Sequence, residues 1–92
     1  MSYVAAEIKI TGLVQGVGFR YFCHRTAKDY SLTGCVRNEP DRSVLVIAEG
    51  DKSQIESFIK SLNVGPSFSN VKNITVRWTE FSGKYNSFRV ES

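Results

Sequence analysis

One stretch of this chain has residue types and spacing suited to holding an anion: Gly12-Leu13-Val14-Gln15-Gly16-Val17-Gly18-Phe19-Arg20. Gly16 and Gly18 are free to take positive φ, and a tight turn of that kind lets successive backbone N–H groups face inward together. A helix that starts at Phe19 brings the positive end of its dipole to the same spot. Arg20, in the first turn, can close a planar fork of donors over two oxygens at once. The chemistry this favours is oxyanion binding by Gln15, Gly16, Val17, Gly18, Phe19 and Arg20. The same residues also suit an ordinary turn with a solvated arginine, and on spacing alone both readings stand. A nucleotide-binding loop fits less well, because no Gly-Lys-Ser or Gly-Lys-Thr follows and a Gly-x-Gly without its third glycine is a weak signal.

Other chemistries find less support. His24 is the only histidine and stands beside Cys23, but neighbours on a helix point about 100° apart and do not form a nucleophile–base pair. A cysteine phosphatase wants arginine six residues after its cysteine, where this chain has Asp29. Cys23 and Cys35 match no metal-ligand spacing and read as small apolar residues in a reducing compartment. No metal and no cofactor are expected.

The elements that must position the loop are legible from periodicity. Val4 to Val14 alternates, with Ala6, Ile8 and Ile10 on one side and Glu7, Lys9 and Thr11 on the other, as in a half-buried strand. After the glycine turn, Phe19, Phe22, Cys23, Thr26, Ala27 and Tyr30 recur at helical spacing to about Ser31. Gly34 ends that run, and Cys35 to Asn38 reads as a short strand. Asn38-Glu39-Pro40-Asp41-Arg42-Ser43 is turn chemistry leading into an apolar strand, Val44 to Glu49, so the two strands form a hairpin. Asp51, with Gln54 three residues on, caps a second helix whose buried stripe is Ile55, Phe58, Ile59 and Leu62. Beyond Gly65-Pro66-Ser67, Ile74, Val76 and Trp78 mark a further strand, and Tyr85 to Val90 the last. Strand, helix, strand, strand, helix, strand is the βαββαβ order of a ferredoxin-like α+β sandwich. Right-handed crossovers then put two helices on one face of an antiparallel sheet. That order sets the first strand beside the third and places the loop after strand one at the sheet's edge.

Composition agrees. A length of 92 residues has room for one domain, spanning 1–92. At 41% hydrophobic and 23% charged, the chain resembles a folded globular protein rather than a disordered one. No apolar run approaches the length of a membrane span, and Met1 to Glu7 lacks a basic start followed by an apolar stretch, so we expect a cytoplasmic protein without membrane contact. The net charge of +3 favours an anionic partner.

The loop segment closely resembles the signature of the acylphosphatase family, and Gly34-Cys35-Val36-Arg37-Asn38-Glu39-Pro40-Asp41-Arg42-Ser43-Val44 resembles its second signature. Cys35 stands where the family usually has tryptophan, and Arg42 where the turn usually has glycine. Gly50, Gly65-Pro66 and Tyr85-x-x-Phe88 extend the likeness across the chain. The resemblance implies a metal-free hydrolase of acyl phosphates, with Arg20 as the phosphate-binding arginine and Asn38 as the residue that orients water. Physical chemistry accepts those roles. Phosphoryl transfer asks chiefly for positioning and charge stabilisation, and a carboxylate leaving group, with a conjugate-acid pKa of about 4, needs no general acid. The expected partners are a small acyl phosphate and, as competitors, inorganic phosphate or sulfate; a monomer is expected. RNA binding is the alternative, since Phe68, Trp78, Phe81 and Phe88 could stack bases. It lacks the pattern of aromatics around Lys or Arg and Gly on a central strand, so no nucleic-acid partner is expected. A regulatory module of larger enzymes is a second alternative.

Overall fold

A computed structural model of the chain describes residues 2–91; Met1 and Ser92, the ends of the expected domain, lie outside the described residues. The elements run β1 (Tyr3–Leu13), α1 (Phe19–Asp29), β2 (Thr33–Asn38), β3 (Val44–Asp51), α2 (Lys52–Val64), β4 (Asn70–Glu80) and β5 (Phe88–Val90). They build a five-stranded sheet in the order β4-β1-β3-β2-β5 with both helices on one face. This is the ferredoxin-like α+β arrangement. β1 pairs with β3, as expected, with Ile8 opposite Val46.

The alternation in β1 explains the layering. Ala6, Ile8 and Ile10 are fully buried and meet Val44, Val46 and Ala48 of β3, while the helices close over them with Phe19, Cys23, Ala27, Ile55, Phe58 and Leu62. Burying a side chain such as Phe19 or Phe58 is worth roughly 1.5 to 3 kcal/mol, so the first residue of α1 is also one of its anchors. Asp51 caps α2, and the groups it receives are the N–H and hydroxyl of Ser53.

Three expectations change. The sheet is mixed, because β5 runs parallel to β2, with Val36 opposite Val90. The last strand is short. Tyr85 to Ser87 stay outside it, since the preceding segment is drawn across the open face of the sheet, where buried Glu49 accepts hydrogen bonds from Ser82 N–H, Ser82 Oγ and Gly83 N–H. The loop after β1 does not leave from an edge strand. β1 lies between β4 and β3, so the loop emerges from the end of an inner strand.

Candidate active site

The residues between β1 and α1 form a turn in which Gly16 has φ of 74° and Gly18 of 78°. A Cβ at either would meet nothing within 4 Å, so conformation rather than crowding calls for glycine there. Gly18 is the N-cap of α1 and offers no side chain to its first N–H groups, which therefore face the turn unclaimed by a cap. Val17 packs its side chain against the core and Phe19 is buried, which fixes the turn from beneath.

Arg20 and Asn38 both border this turn. Both line one cavity of about 260 Å³ together with Val14, Gly16, Gly18, Phe19, Tyr21 and Val90. That is room for a phosphate and several waters, each of about 30 Å³ in the liquid. The Arg20 guanidinium donates through Nη1 to the carbonyl oxygen of Glu91 at 2.7 Å, which uses one of its five donors and fixes its direction. Asn38 ends β2 on the helix-facing side of the sheet, two residues beyond core residue Val36. Its Oδ1 is the one buried side-chain polar atom without a partner among the described residues. No other protein group among the described residues competes for this amide oxygen.

Gln15 is placed differently from its neighbours. Its side chain turns away from the cavity and donates through Nε2 to the carbonyl oxygens of Glu39 and Ser43, both at 2.9 Å. It thereby ties the loop to the β2–β3 hairpin that carries Asn38. Glu39 and Ser43 also pair through their backbones, and Asp41 accepts from the N–H and hydroxyl of Ser43. The hydrogen bond from Lys9, with those from Ser43, holds the Asp41 carboxyl well below the usual carboxylate range. Arg42, in the family's glycine position, adopts φ of 72°, so it takes the conformation of the glycine it replaces at about 1 to 2 kcal/mol.

Neither Gln15's bond to the hairpin nor Glu91's to Arg20 announces itself in sequence. The first is implicit only in the register of β1 against β3, and the second in a strand of three residues. The cysteines stay out of the site. Cys23 is fully buried, and burial pushes its thiol up, away from thiolate chemistry. Its neighbour His24 stands instead between the rings of Tyr21 and Phe88, centroids 6.4 Å from each. Among the described residues no group of three His, Cys, Asp or Glu side chains is placed to hold a metal. The four aromatics weighed for base stacking are dispersed. Phe88 is buried against Phe58, Phe81 packs edge-on to Tyr3, Trp78 lies under Lys52, and Phe68 is exposed in a loop.

Comparison with known proteins gives a consistent picture. The sequence model of the acylphosphatase family matches residues 6–90. An acylphosphatase from Caldanaerobacter subterraneus is 41% identical over 84 residues, covering 91% of this chain and 93% of its own. The crystal structure of acylphosphatase from Bacillus subtilis superposes with a TM-score of 0.93 at 34% identity, covering 97% of this chain and 99% of that one. Full-length HypF in its phosphate- and nucleotide-bound form matches with a TM-score of 0.91 at 36% identity, over 99% of this chain but 12% of that one.

Proposed function

Because this chain belongs to the acylphosphatase family and hydrolyses the carboxyl-phosphate bond of acyl phosphates, we propose that Arg20 and Asn38 carry the reaction in the cavity they share. The phosphate is bound by the backbone N–H groups of residues 15–19 and gripped by the Arg20 fork. The side-chain amide of Asn38 holds a water in line with phosphorus. The water oxygen forms the new P–O bond, the bond to the acyl oxygen breaks, and its electron pair leaves on the carboxylate. The water's proton passes to an oxygen of the bound phosphate. No metal or cofactor takes part, because Arg20 and the loop amides supply the charge and carboxylate leaves without a general acid.

The observation that supports this reading is that Arg20 and Asn38, 18 positions apart in sequence, line one cavity with the glycine turn. Free phosphate or sulfate then competes with substrate, since the cradle reads only the oxyanion. We read the 92 residues as one domain acting as a monomer. Two unpaired cysteines suit a reducing compartment, the cytoplasm; among the described residues no helix is long and apolar enough to cross a membrane. The test is hydrolysis of acetyl phosphate in the presence of a chelator, with phosphate as competitor. Full activity and competitive inhibition are expected. Activity that is lost to the chelator and returns with magnesium would overturn the metal-free mechanism.

A further inference from the structure

Arg42 stands at the tip of the β2–β3 hairpin in a conformation arginine rarely adopts, and its backbone is firmly held. Its N–H donates to the Glu39 carbonyl at 3.0 Å, and Gln15 grips the same hairpin from the other side. Arg42 lines a cavity of about 380 Å³ with Gly12, Leu13, Val14, Gln15 and Gly16. Val14 and Gly16 also wall the Arg20–Asn38 cavity, so the two depressions adjoin.

The charges around this position are already paired elsewhere. Asp41 is bridged to Lys9 at 2.8 Å and Glu39 to Arg37 at 3.2 Å. Arg42 belongs to none of the four ion pairs among the described residues. No acidic residue lines either cavity. The adjoining depressions are thus lined by two arginines and no acidic residue.

We propose that Arg42 is a specificity residue that favours acyl phosphates whose acyl part carries a second anionic group. This rests on the reading of the Arg20–Asn38 cavity as the phosphate site. With the phosphoryl group in that cavity, an acyl chain lying over Gly16 brings a distal carboxylate or phosphate to Arg42. The contact is the same in the ground and transition states, so it acts on KM more than on kcat.

The test compares benzoyl phosphate with 4-carboxybenzoyl phosphate on the wild type, Arg42→Gly and Arg42→Glu. Glycine suits the backbone at this position, and comparing the ratio of the two substrates between proteins cancels their intrinsic reactivity. The preference for the carboxylated substrate should fall about two- to fivefold in Arg42→Gly, as for an exposed ion pair. It should fall further in Arg42→Glu, and added salt should shrink the wild-type preference. An equal ratio in all three proteins overturns the proposal. Arg20→Ala serves as the companion measurement. If it turns over both substrates at wild-type rates, the phosphate lies elsewhere and the proposal falls with that reading; if it is inactive and the ratio is flat, Arg42 alone is misassigned.

Discussion

The Arg20 guanidinium is anchored to the backbone carbonyl of Glu91, 71 positions away in sequence, by a hydrogen bond of 2.7 Å. Arg20 therefore takes its direction from the segment that follows β5. Glu91 is itself tied back to β2, through its N–H to the Val36 carbonyl at 2.8 Å. Removing residues 90–92 should leave the four longer strands paired and untether Arg20. A hydrogen bond to a charged group is worth about 1.5 to 3 kcal/mol, so the inhibition constant for phosphate should rise about tenfold or more. An unchanged constant in the folded, shortened protein would show the anchor to be idle.

Arg20 and Asn38 should fail differently when replaced. Arg20→Ala should weaken phosphate binding and turnover together, and Arg20→Lys should restore little, because a point charge lacks the planar fork. Asn38→Ala leaves the cradle whole, so kcat should drop by on the order of 10² to 10³ while phosphate binds nearly as before. Steady-state kinetics with phosphate titration separates the two cases.

Asn38→Ala should also hold its thermal stability. The substitution removes an acceptor that no other protein group uses, so only a few packed atoms are lost. Thermal denaturation of the folded variant measures this. A large fall in Tm would mean that the amide is structural after all.

Gln15→Ala removes both donors that bind the hairpin carbonyls. Two lost hydrogen bonds at about 1 kcal/mol each should lower stability by roughly 2 kcal/mol, with a smaller fall in kcat as Asn38 loosens. Gln15→Glu should be worse, since a carboxylate would face two carbonyl oxygens. Denaturant melts of the two variants give the order.

The hairpin tip should respond to acid through Asp41. Its carboxyl is lowered by the Lys9 hydrogen bond first and then by Ser43, so its contribution is present above the unfolded value near 4 and fades as pH falls through the lower native one. The Lys9 ammonium is raised by the same partner; its share is present below its ordinary value near 10.5 and is lost as pH rises past that. Wild type should therefore exceed Asp41→Asn in Tm across neutral pH, and the difference should narrow below about pH 4. A difference independent of pH would remove the ionic origin.

Much of this was open to a reader of the sequence. The alternation of Ala6, Ile8 and Ile10 and the helical stripe from Phe19 to Ala27 both report burial on one face, and burial is what periodicity encodes. The glycine turn and its arginine were legible because backbone conformation and residue type coincide there. What sequence conceals are long-range contacts made by single polar groups: Gln15 to the hairpin, Glu49 to Ser82 and Gly83, Arg20 to Glu91. Each joins segments at least 24 positions apart, and no local pattern records such a partner. β5 is shorter than its sequence suggests for a related reason. Three residues pairing in parallel leave too short an alternation to fix an end.

The Glu91 anchor also sets an order of events during synthesis. The loop, Arg20 and Asn38 emerge in the first 38 residues, whereas the group that aims Arg20 belongs to the penultimate residue of this sequence. Contacts spanning so much of a chain form late. In a nascent chain still held at β4 the guanidinium of Arg20 would be undirected, because its hydrogen bond to Glu91 forms only once the segment after β5 has joined the sheet.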